Sequence, residues 1–255
     1  MKQISLITAT YNAGLTLPNC LQSVAQQTIV PEHLIIDGGS TDATMDIAQT
    51  HCAHQLQVFS KPDNGIYDAM NKGIRKSTGE IVGILNADDF YASSHVLEKV
   101  VNVFKNESID ACYGDLCYVD YHDPDKIVRY WQSKDYNYQK FYNGWMPPHP
   151  TFFVRRSAYD RFGLFNLDLG SAADYELMLR FLVRQRLKTA YIPEVLVKMR
   201  IGGISNSTVT NRLHANKMDR MAWSVNGLRP YPWTLTLKPL RKLNQWIFTK
   251  SRYYS

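Results

Sequence analysis

The chain has 255 residues, 45% apolar and 20% charged, a globular composition that excludes a disordered linker. No apolar run approaches the roughly 18 to 20 residues needed to cross a bilayer, and the opening MKQISLITATYN turns polar at Tyr11 before a signal-peptide core forms. The net charge of +6 is local: residues 220–255 carry seven bases and no acid, against 22 bases and 23 acids in the rest.

Cys20, Cys52, Cys112 and Cys117 form no C-x-x-C pair, so the expectation is a reduced, cytoplasmic protein with free thiols. Residues 4–9 read as a buried strand, and Leu17, Leu21 and Val24 share a helical face behind Pro18, placed early in the helix where its missing N–H costs little. Residues 34–36 are a second strand closed by Asp37-Gly38-Gly39, and Ser40-Thr41-Asp42 offers N-cap side chains for a helix running to Thr50. A third strand covers 56–60, Met70 and Ile74 mark another helix, and 80–85 is a strand interrupted by Gly83 that leads into Asn86-Ala87-Asp88-Asp89. Strands alternating with helices predict an α/β fold with a mostly parallel sheet.

Beyond residue 90 the pattern predicts a helix over 94–105, separate strands over 109–113 and 116–120, and a Pro-rich loop at 146–150. Leu177, Met178, Phe181 and Leu182 then share a helical face, and 188–199 reads as two strands broken at Pro193. The expected organisation is one domain in two halves, 1–90 and 91–206, followed by a basic aromatic tail over 207–255.

In an open parallel sheet the ligand crevice lies at the carboxyl ends of the strands. There the chain places Thr8-Ala9-Thr10-Tyr11-Asn12, Asp37, and Asn86-Ala87-Asp88-Asp89. The absence of G-x-G-x-x-G after the first strand and of G-x-x-x-x-G-K-[ST] anywhere argues against a dinucleotide enzyme or a P-loop NTPase. Adjacent carboxylates repel unless a cation lies beside them, and oxygen ligands suit Mg²⁺ and Mn²⁺. Asp88-Asp89 therefore reads as half of a metal site completed by substrate phosphate oxygens; the alternative is a turn in which Asp88 caps the next segment.

Together with Asp63-Asn64-Gly65-Ile66-Tyr67-Asp68-Ala69-Met70-Asn71-Lys72-Gly73, Gly79-Glu80 and Ala173-Asp174-Tyr175-Glu176-Leu177-Met178-Leu179-Arg180, these segments resemble the family 2 glycosyltransferases in order and spacing. Those are inverting enzymes of the GT-A nucleotide-sugar fold, and the resemblance covers about residues 3–206. It implies a nucleotide-sugar-binding half over 1–90, an acceptor-binding half over 91–206 and a basic C-terminal helical tail. It also implies that Thr8, Ala9, Thr10 and Tyr11 line the base and ribose pocket, that Asp37 accepts a hydrogen bond from the base, and that Asp68, Lys72 and Asp88 lie at the donor. Asp88 and Asp89 occupy the family's D-x-D metal motif, whose first place holds Asn86 here, so the division of metal and ribose contacts among the three is open. Many relatives have a late His that reaches the metal; residues 198–203 have none, and Arg200 stands there as a phosphate-binding candidate.

Asp174 aligns with the general base, although an acidic residue there also favours the first turn of a helix through its dipole. His149, between two prolines, is the acceptor-side candidate. The implied reaction is transfer of a sugar from a nucleotide donor, a UDP-sugar, to a glycan or lipid-linked acceptor in polysaccharide or lipopolysaccharide assembly, with Mg²⁺ or Mn²⁺ and inversion at the anomeric carbon. A sugar-1-phosphate nucleotidyltransferase and an inactive membrane-associated scaffold are the alternatives; the first lacks its basic Gly-rich loop, and retention of Asp37, Asp88, Asp89 and Asp174 speaks against the second.

Three features outside these motifs have simpler readings. His51 and His54 fall at a helix end as exposed side chains rather than metal ligands, and Trp131 and Trp145 suit packing as well as sugar stacking. In the tail, Trp223, Trp233 and Trp246 accompany the bases. A helix starting near Pro239 puts Leu240, Leu243, Trp246 and Ile247 opposite Arg241, Lys242, Asn244 and Gln245. That arrangement suits peripheral contact with the inner face of a membrane better than nucleic acid; the alternative is packing on the domain or on a second subunit, and the sequence leaves the oligomeric state open.

Overall fold

The computed structural model describes residues 3–51, 53–202 and 209–247, the side chains of 209–215 and 242–247 excepted. The boundary near 206, Cys52, the side chains of Leu243, Trp246 and Ile247, and Lys250 and Arg252 lie outside the described residues. In chain order the first half runs β1 (Ile4–Thr10), α1 (Leu17–Ala25), β2 (Glu32–Asp37), α2 (Thr44–Thr50), β3 (Leu56–Ser60), α3 (Ile66–Lys76), β4 (Ile81–Ile84) and β5 (Asp89–Tyr91). The second half follows with α4 (Val96–Phe104), β6 (Ala111–Val119), β7 (Ile127–Trp131), α5 (Gln139–Tyr142), β8 (Phe153–Arg155), α6 (Arg156–Phe162), α7 (Ala173–Met178), β9 (Thr189–Arg200), α8 (Val209–Val225) and α9 (Thr234–Ile247).

Among the described residues nine strands join one sheet, in the order β3-β2-β1-β4-β8-β6-β9-β5, with β7 pairing with β6 off this path. The pairings β3-β2-β1-β4 are parallel, as the alternation of strands and helices predicts. Period-two alternation sorts β1: Ile4 and Leu6 enter the core beneath α1 and α4, while Ile7 and Ala9 enter the core beneath α3. Past β4 the sheet is mixed, with β8 antiparallel to both β4 and β6, and β9 parallel to β6.

Here the structure corrects the expected elements. Residues 111–119 form one strand, and β9 is a single strand of 12 residues through Pro193. Its register against β6 slips between Gly114↔Ile192 and Asp115↔Val195, so Pro193 sits in a bulge where no ladder N–H is required. The short strands β5, β7 and β8, of three to five residues, carry too little periodicity to be read locally. The last helix begins at Thr234, ahead of Pro239, and the helix after Asp174 continues as π-helical turns over Leu179–Arg184.

The C-terminal helices close over the second half. Trp223 is fully buried, Ala222 and Leu235 join the same core, and Tyr142 packs on the Trp223 indole at 4.8 Å. Gly144, at φ 75°, lets α9 approach so closely that a Cβ there would meet the Lys238 amide at 2.5 Å. Among the described residues no helix is long and apolar enough to cross a membrane.

Candidate active site

The carboxyl ends of β1 and β2 lie side by side, Thr10 paired with Asp37, and the turns that follow them form one unit. Asn12 takes the left-handed conformation at φ 49°, its amide donates to Ser40 Oγ at 2.8 Å and its Oδ1 accepts the Thr41 amide at 2.9 Å. Ala13 and Gly14 donate to Thr44 Oγ1 and Asp42 Oδ2 at 2.7 and 2.9 Å, while Asp42 Oδ1 takes the Thr44 amide at the start of α2. These cross-bonds give the Thr-Tyr-Asn and Asp-Gly-Gly-Ser-Thr-Asp segments a shared physical basis.

Asp37 is the keystone of this turn. Its buried carboxylate accepts the Gly39 and Ser40 amides, each at 3.0 Å, and the hydroxyls of Thr10, Ser40 and Ser60. Burial alone would raise its pKa, but the bonds from Ser40, Ser60 and the amides outweigh that and hold it below the usual carboxylate value. The carboxylate offered to a nucleobase by sequence is thus already engaged within the protein. At Gly38 a Cβ would lie 2.6 Å from Asp63 Oδ2, so the Asp63 carboxylate fills the space a side chain would need.

The other donor-side candidates divide. Ala9 is buried, Tyr11 is 66% exposed above the strand ends, and Thr8 is turned inward, its hydroxyl 2.9 Å from His33 Nε2. Asp68 accepts the Asn64 amide at 3.0 Å and pairs with Lys72 at 3.1 Å, while Lys72 also donates to the Pro62 carbonyl at 3.0 Å. The Asn64 amide foremost, then Lys72, keeps Asp68 more acidic than usual. This pair braces the loop entering α3.

After β4, Asn86, Asp88 and Asp89 are held with their polar atoms under-used. Asp89 is fully buried; its Oδ2 meets Asn86 Nδ2 only at 3.4 Å, and neither Asp89 Oδ1 nor Asn86 Oδ1 has a partner. Burial, then the neighbouring Asp88 charge, drives the Asp89 pKa well up; burial likewise raises Asp88, opposed by Arg200 and His149. Arg200 is buried, donates to the Asp88 and Tyr121 carbonyls at 3.2 and 3.3 Å, and stacks 5.1 Å from the Phe90 ring. Two orphaned oxygen acceptors, Asn86 Oδ1 and Asp89 Oδ1, next to Asp88 in the chain are a ligand set whose chemistry a hard divalent cation fits, although no group of three or more His, Cys, Asp or Glu converges among the described residues.

A second candidate pair joins His149 and Asp174. His149 opens a 3₁₀ turn, His149–Thr151, and its Nδ1 lies 3.2 Å from Asp174 Oδ2. Asp174, in the first turn of α7, also accepts the Tyr175 amide on Oδ1 at 2.7 Å. Burial and then the Asp174 charge push the Tyr67 hydroxyl up, which places this residue of α3 beside the same carboxylate. Sequence reasoning quoted Tyr67 within the 63–73 segment but gave it no part among the candidate residues. From the other side α8 and the residue that follows it hold α7: Trp223 Nε1 donates to Tyr175 Oη at 2.9 Å and Asn226 Nδ2 to Glu176 Oε1 at 3.0 Å.

The remaining candidates take structural roles. Trp145 lies within an aromatic cluster, 5.9 Å from Tyr113 and 5.8 Å from Phe141, and Cys112 and Cys117 are buried free thiols as expected. His51 and His54 are not simply exposed. They form a chain, His33 Nδ1 to His54 Nε2 at 2.8 Å and His54 Nδ1 to His51 Nε2 at 2.9 Å, that ends below Thr8.

A sheet with an all-parallel first half, a mixed second half and acidic side chains gathered at its strand ends is the GT-A glycosyltransferase fold. Solved structures share it: TarS of S. aureus matches at TM-score 0.65 and 16% identity over 98% of this chain, and the chain spans 44% of that protein. A shorter form, TarS 1–349, is solved in complex with UDP-GlcNAc, and the mannosyltransferase PcManGT from Pyrobaculum calidifontis, in complex with GDP-Man and Mn²⁺, matches at TM-score 0.63 and 19% identity over 97% of this chain and 72% of its own. The family model "Glycosyl transferase family 2" matches residues 5–163. A PGL/p-HBAD biosynthesis glycosyltransferase of Mycobacterium bovis is 32% identical over 211 residues, 80% of each chain. The chain belongs to glycosyltransferase family 2.

Proposed function

We propose that the protein transfers a sugar from a nucleotide-sugar donor, a UDP-sugar, to a hydroxyl of a glycan or lipid-linked acceptor, with inversion at the anomeric carbon. The observation that supports this reading is the contact of His149 Nδ1 with Asp174 Oδ2 at 3.2 Å, His149 being also among the charges that oppose the burial-raised pKa of Asp88. The UDP-GlcNAc and GDP-Man complexes of fold relatives support a nucleotide-sugar donor at the strand ends. Within that reading Tyr11 and the loop braced by Asp68 and Lys72 border the nucleoside, and Asp37 keeps the turn in shape for it.

Asp88, Asp89 and Asn86 would hold Mg²⁺ or Mn²⁺, which when bound offsets the charge of the diphosphate leaving group. Asp174 supplies the basicity on the acceptor side, and no acid is required opposite it because a nucleoside diphosphate leaves as an anion. The experiment is incubation of the purified protein with a panel of nucleotide sugars, with and without Mn²⁺, scoring nucleotide release. Release from at least one UDP-sugar is expected; a thermal shift with neither UDP nor any other nucleoside diphosphate would overturn the reading.

A lipid-linked acceptor in cell-surface glycan assembly fits the rim of the C-terminal helices. Tyr231, Trp233 and Leu240, each about half exposed, stand with exposed Arg229 and Arg241. Flotation with anionic vesicles at low and high salt tests it, and absence of binding at low salt would remove the membrane from the proposal.

A further inference from the structure

We propose that Asp63 is the carboxylate that reads the nucleobase of the donor, its Oδ2 accepting the ring N–H that uracil presents at N3 and guanine at N1. This rests on the nucleotide-sugar reading and names the residue that recognises the base within it.

Asp37, at the end of β2, has no capacity left for that bond. A carboxylate has about four lone-pair positions. On Asp37, Oδ2 accepts the Gly39 and Ser40 amides and the Ser60 hydroxyl, Oδ1 accepts the Thr10 and Ser40 hydroxyls, and the residue is fully buried. A base that drew on this group would have to break a bond of the turn. Asp63 is the opposite case. It is half-buried, its Oδ1 accepts the Gly65 amide at 2.9 Å, and its Oδ2 accepts no hydrogen bond among the described residues.

The backbone brings that oxygen to the strand ends. Thr10, Asp37 and Ser60 stand in one row across β1, β2 and β3. Two bonds carry the pairing past the strands: the Gly38 amide donates to the Thr10 carbonyl at 2.9 Å and the Lys61 amide to the Asp37 carbonyl at 3.0 Å. Gly38 therefore lies beside the 61–63 segment, and its missing side chain is what lets Asp63 fit. A Cβ at position 38 would stand 2.6 Å from Asp63 Oδ2 and 3.2 Å from its Cγ. Gly39, at φ 90°, lays the turn on Pro62, whose Cγ is 3.7 Å from where a Cβ would be. The carboxylate delivered by the loop after β3 thus takes the place of a side chain at the end of β2, where an open parallel sheet binds its ligands.

A single available oxygen fixes what can be selected. Because Oδ1 is tied to Gly65, one acceptor meets the edge of the base. Uracil and guanine present a ring N–H to it, whereas cytosine and adenine set a lone pair at that ring position and leave the two acceptors opposed. Asp63 sorts donors by hydrogen-bond polarity, and the walls of the pocket sort pyrimidine from purine.

The test is calorimetric titration of UDP, GDP, CDP and ADP, each with Mn²⁺, into the parent chain and the Asp63→Asn, Asp63→Ala and Gly38→Ala variants, with thermal melts to check folding. The parent is expected to bind UDP or GDP at least about tenfold more tightly than CDP and ADP, and the tighter of the two identifies the donor base. Asp63→Asn keeps an oxygen for the Gly65 amide and turns an N–H₂ toward the base, so that preference shrinks to within about threefold. Asp63→Ala loses about 10- to 100-fold in affinity for the preferred nucleotide. Gly38→Ala keeps every charge but pushes the carboxylate aside, and loses about tenfold with little change in Tm. A parent that prefers CDP or ADP, an undiminished preference in folded Asp63→Asn, or parent-like affinity in Gly38→Ala would each overturn the assignment. Where Asp63→Asn fails to fold, Gly38→Ala decides alone. A parent that binds none of the four nucleotides sinks the sugar-transfer reading as well, whereas the variant results bear on Asp63 only.

Discussion

The two halves of the site are held together by different means. On the proposed donor side, turns after β1 and β2 are fastened by short bonds between loop residues: Asn12 to Ser40 and Thr41, and Asp37 to Gly39, Ser40 and Ser60. On the proposed acceptor side, α7 and the segment before His149 are fastened by helices arriving from much later in the chain. Trp223 reaches back 48 residues to Tyr175, and Arg241 reaches back 98 to the Asn143 carbonyl. Turn chemistry constrains residue type position by position, while packing constrains only volume and polarity. Donor binding and turnover should therefore be separable by substitution.

The largest effect is expected at Asp89. Its pKa is raised by burial and by Asp88, so in the metal-free protein the folded state retains a proton that the unfolded chain gives up; stability from this group falls as pH rises from the ordinary carboxylate range. Asp89→Asn should raise the melting temperature of the metal-free protein at neutral pH while reducing transfer by about two to three orders of magnitude. Calorimetry and turnover with and without chelator check both signs. A destabilised variant would mean that the carboxylate is structural.

Trp223→Phe probes the other half. It keeps an aromatic ring in the core but removes the N–H that meets Tyr175, at a cost of about 1 to 3 kcal/mol. Because Tyr175 follows Asp174, kcat should fall several-fold while UDP affinity holds, which titration and steady-state kinetics would reveal. Equal loss of both would erase the distinction between the halves.

The smallest effect lies beneath the donor side. Burial, then the charges of His54 and His51, takes His33 down to about 3, and burial and His51 take His54 down to about 4. Folding thus favours neutral rings, and unfolded histidines regain protons below about pH 6.5. Stability should decline as pH drops from about 6.5 toward 4, and His33→Gln should flatten that decline in acid-melting curves. An unchanged slope would show that acid acts elsewhere.

This contrast also decides what was legible in the sequence. The strands β1, β2 and β3 were readable over residues 4–9, 34–36 and 56–60 because apolar runs end in turn-forming residues. Asp88 and Asp89 stood out as paired carboxylates at a strand end and His149 and Asp174 through family resemblance, and the structure sets His149 Nδ1 3.2 Å from Asp174 Oδ2. Tyr67, the His33–His54–His51 chain and the Trp223 clamp were not legible, since each depends on residues that only the folded chain makes neighbours. Asp37 shows the opposite limit: its residue type was readable, but its five internal donors were not.

The 98-residue reach between Asn143 and Arg241 also sets a clock during synthesis. At about 5 to 20 residues per second, roughly 5 to 20 s separate the appearance of the Tyr142 and Trp145 region from that of the helix that covers it. For that interval the nascent chain has its donor-side turns complete and an aromatic surface without its lid, the state most open to chaperone capture and to aggregation. Seating of Trp223 and Leu235 ends it, so late-folding helices rather than the motif-bearing strands govern the yield of active enzyme.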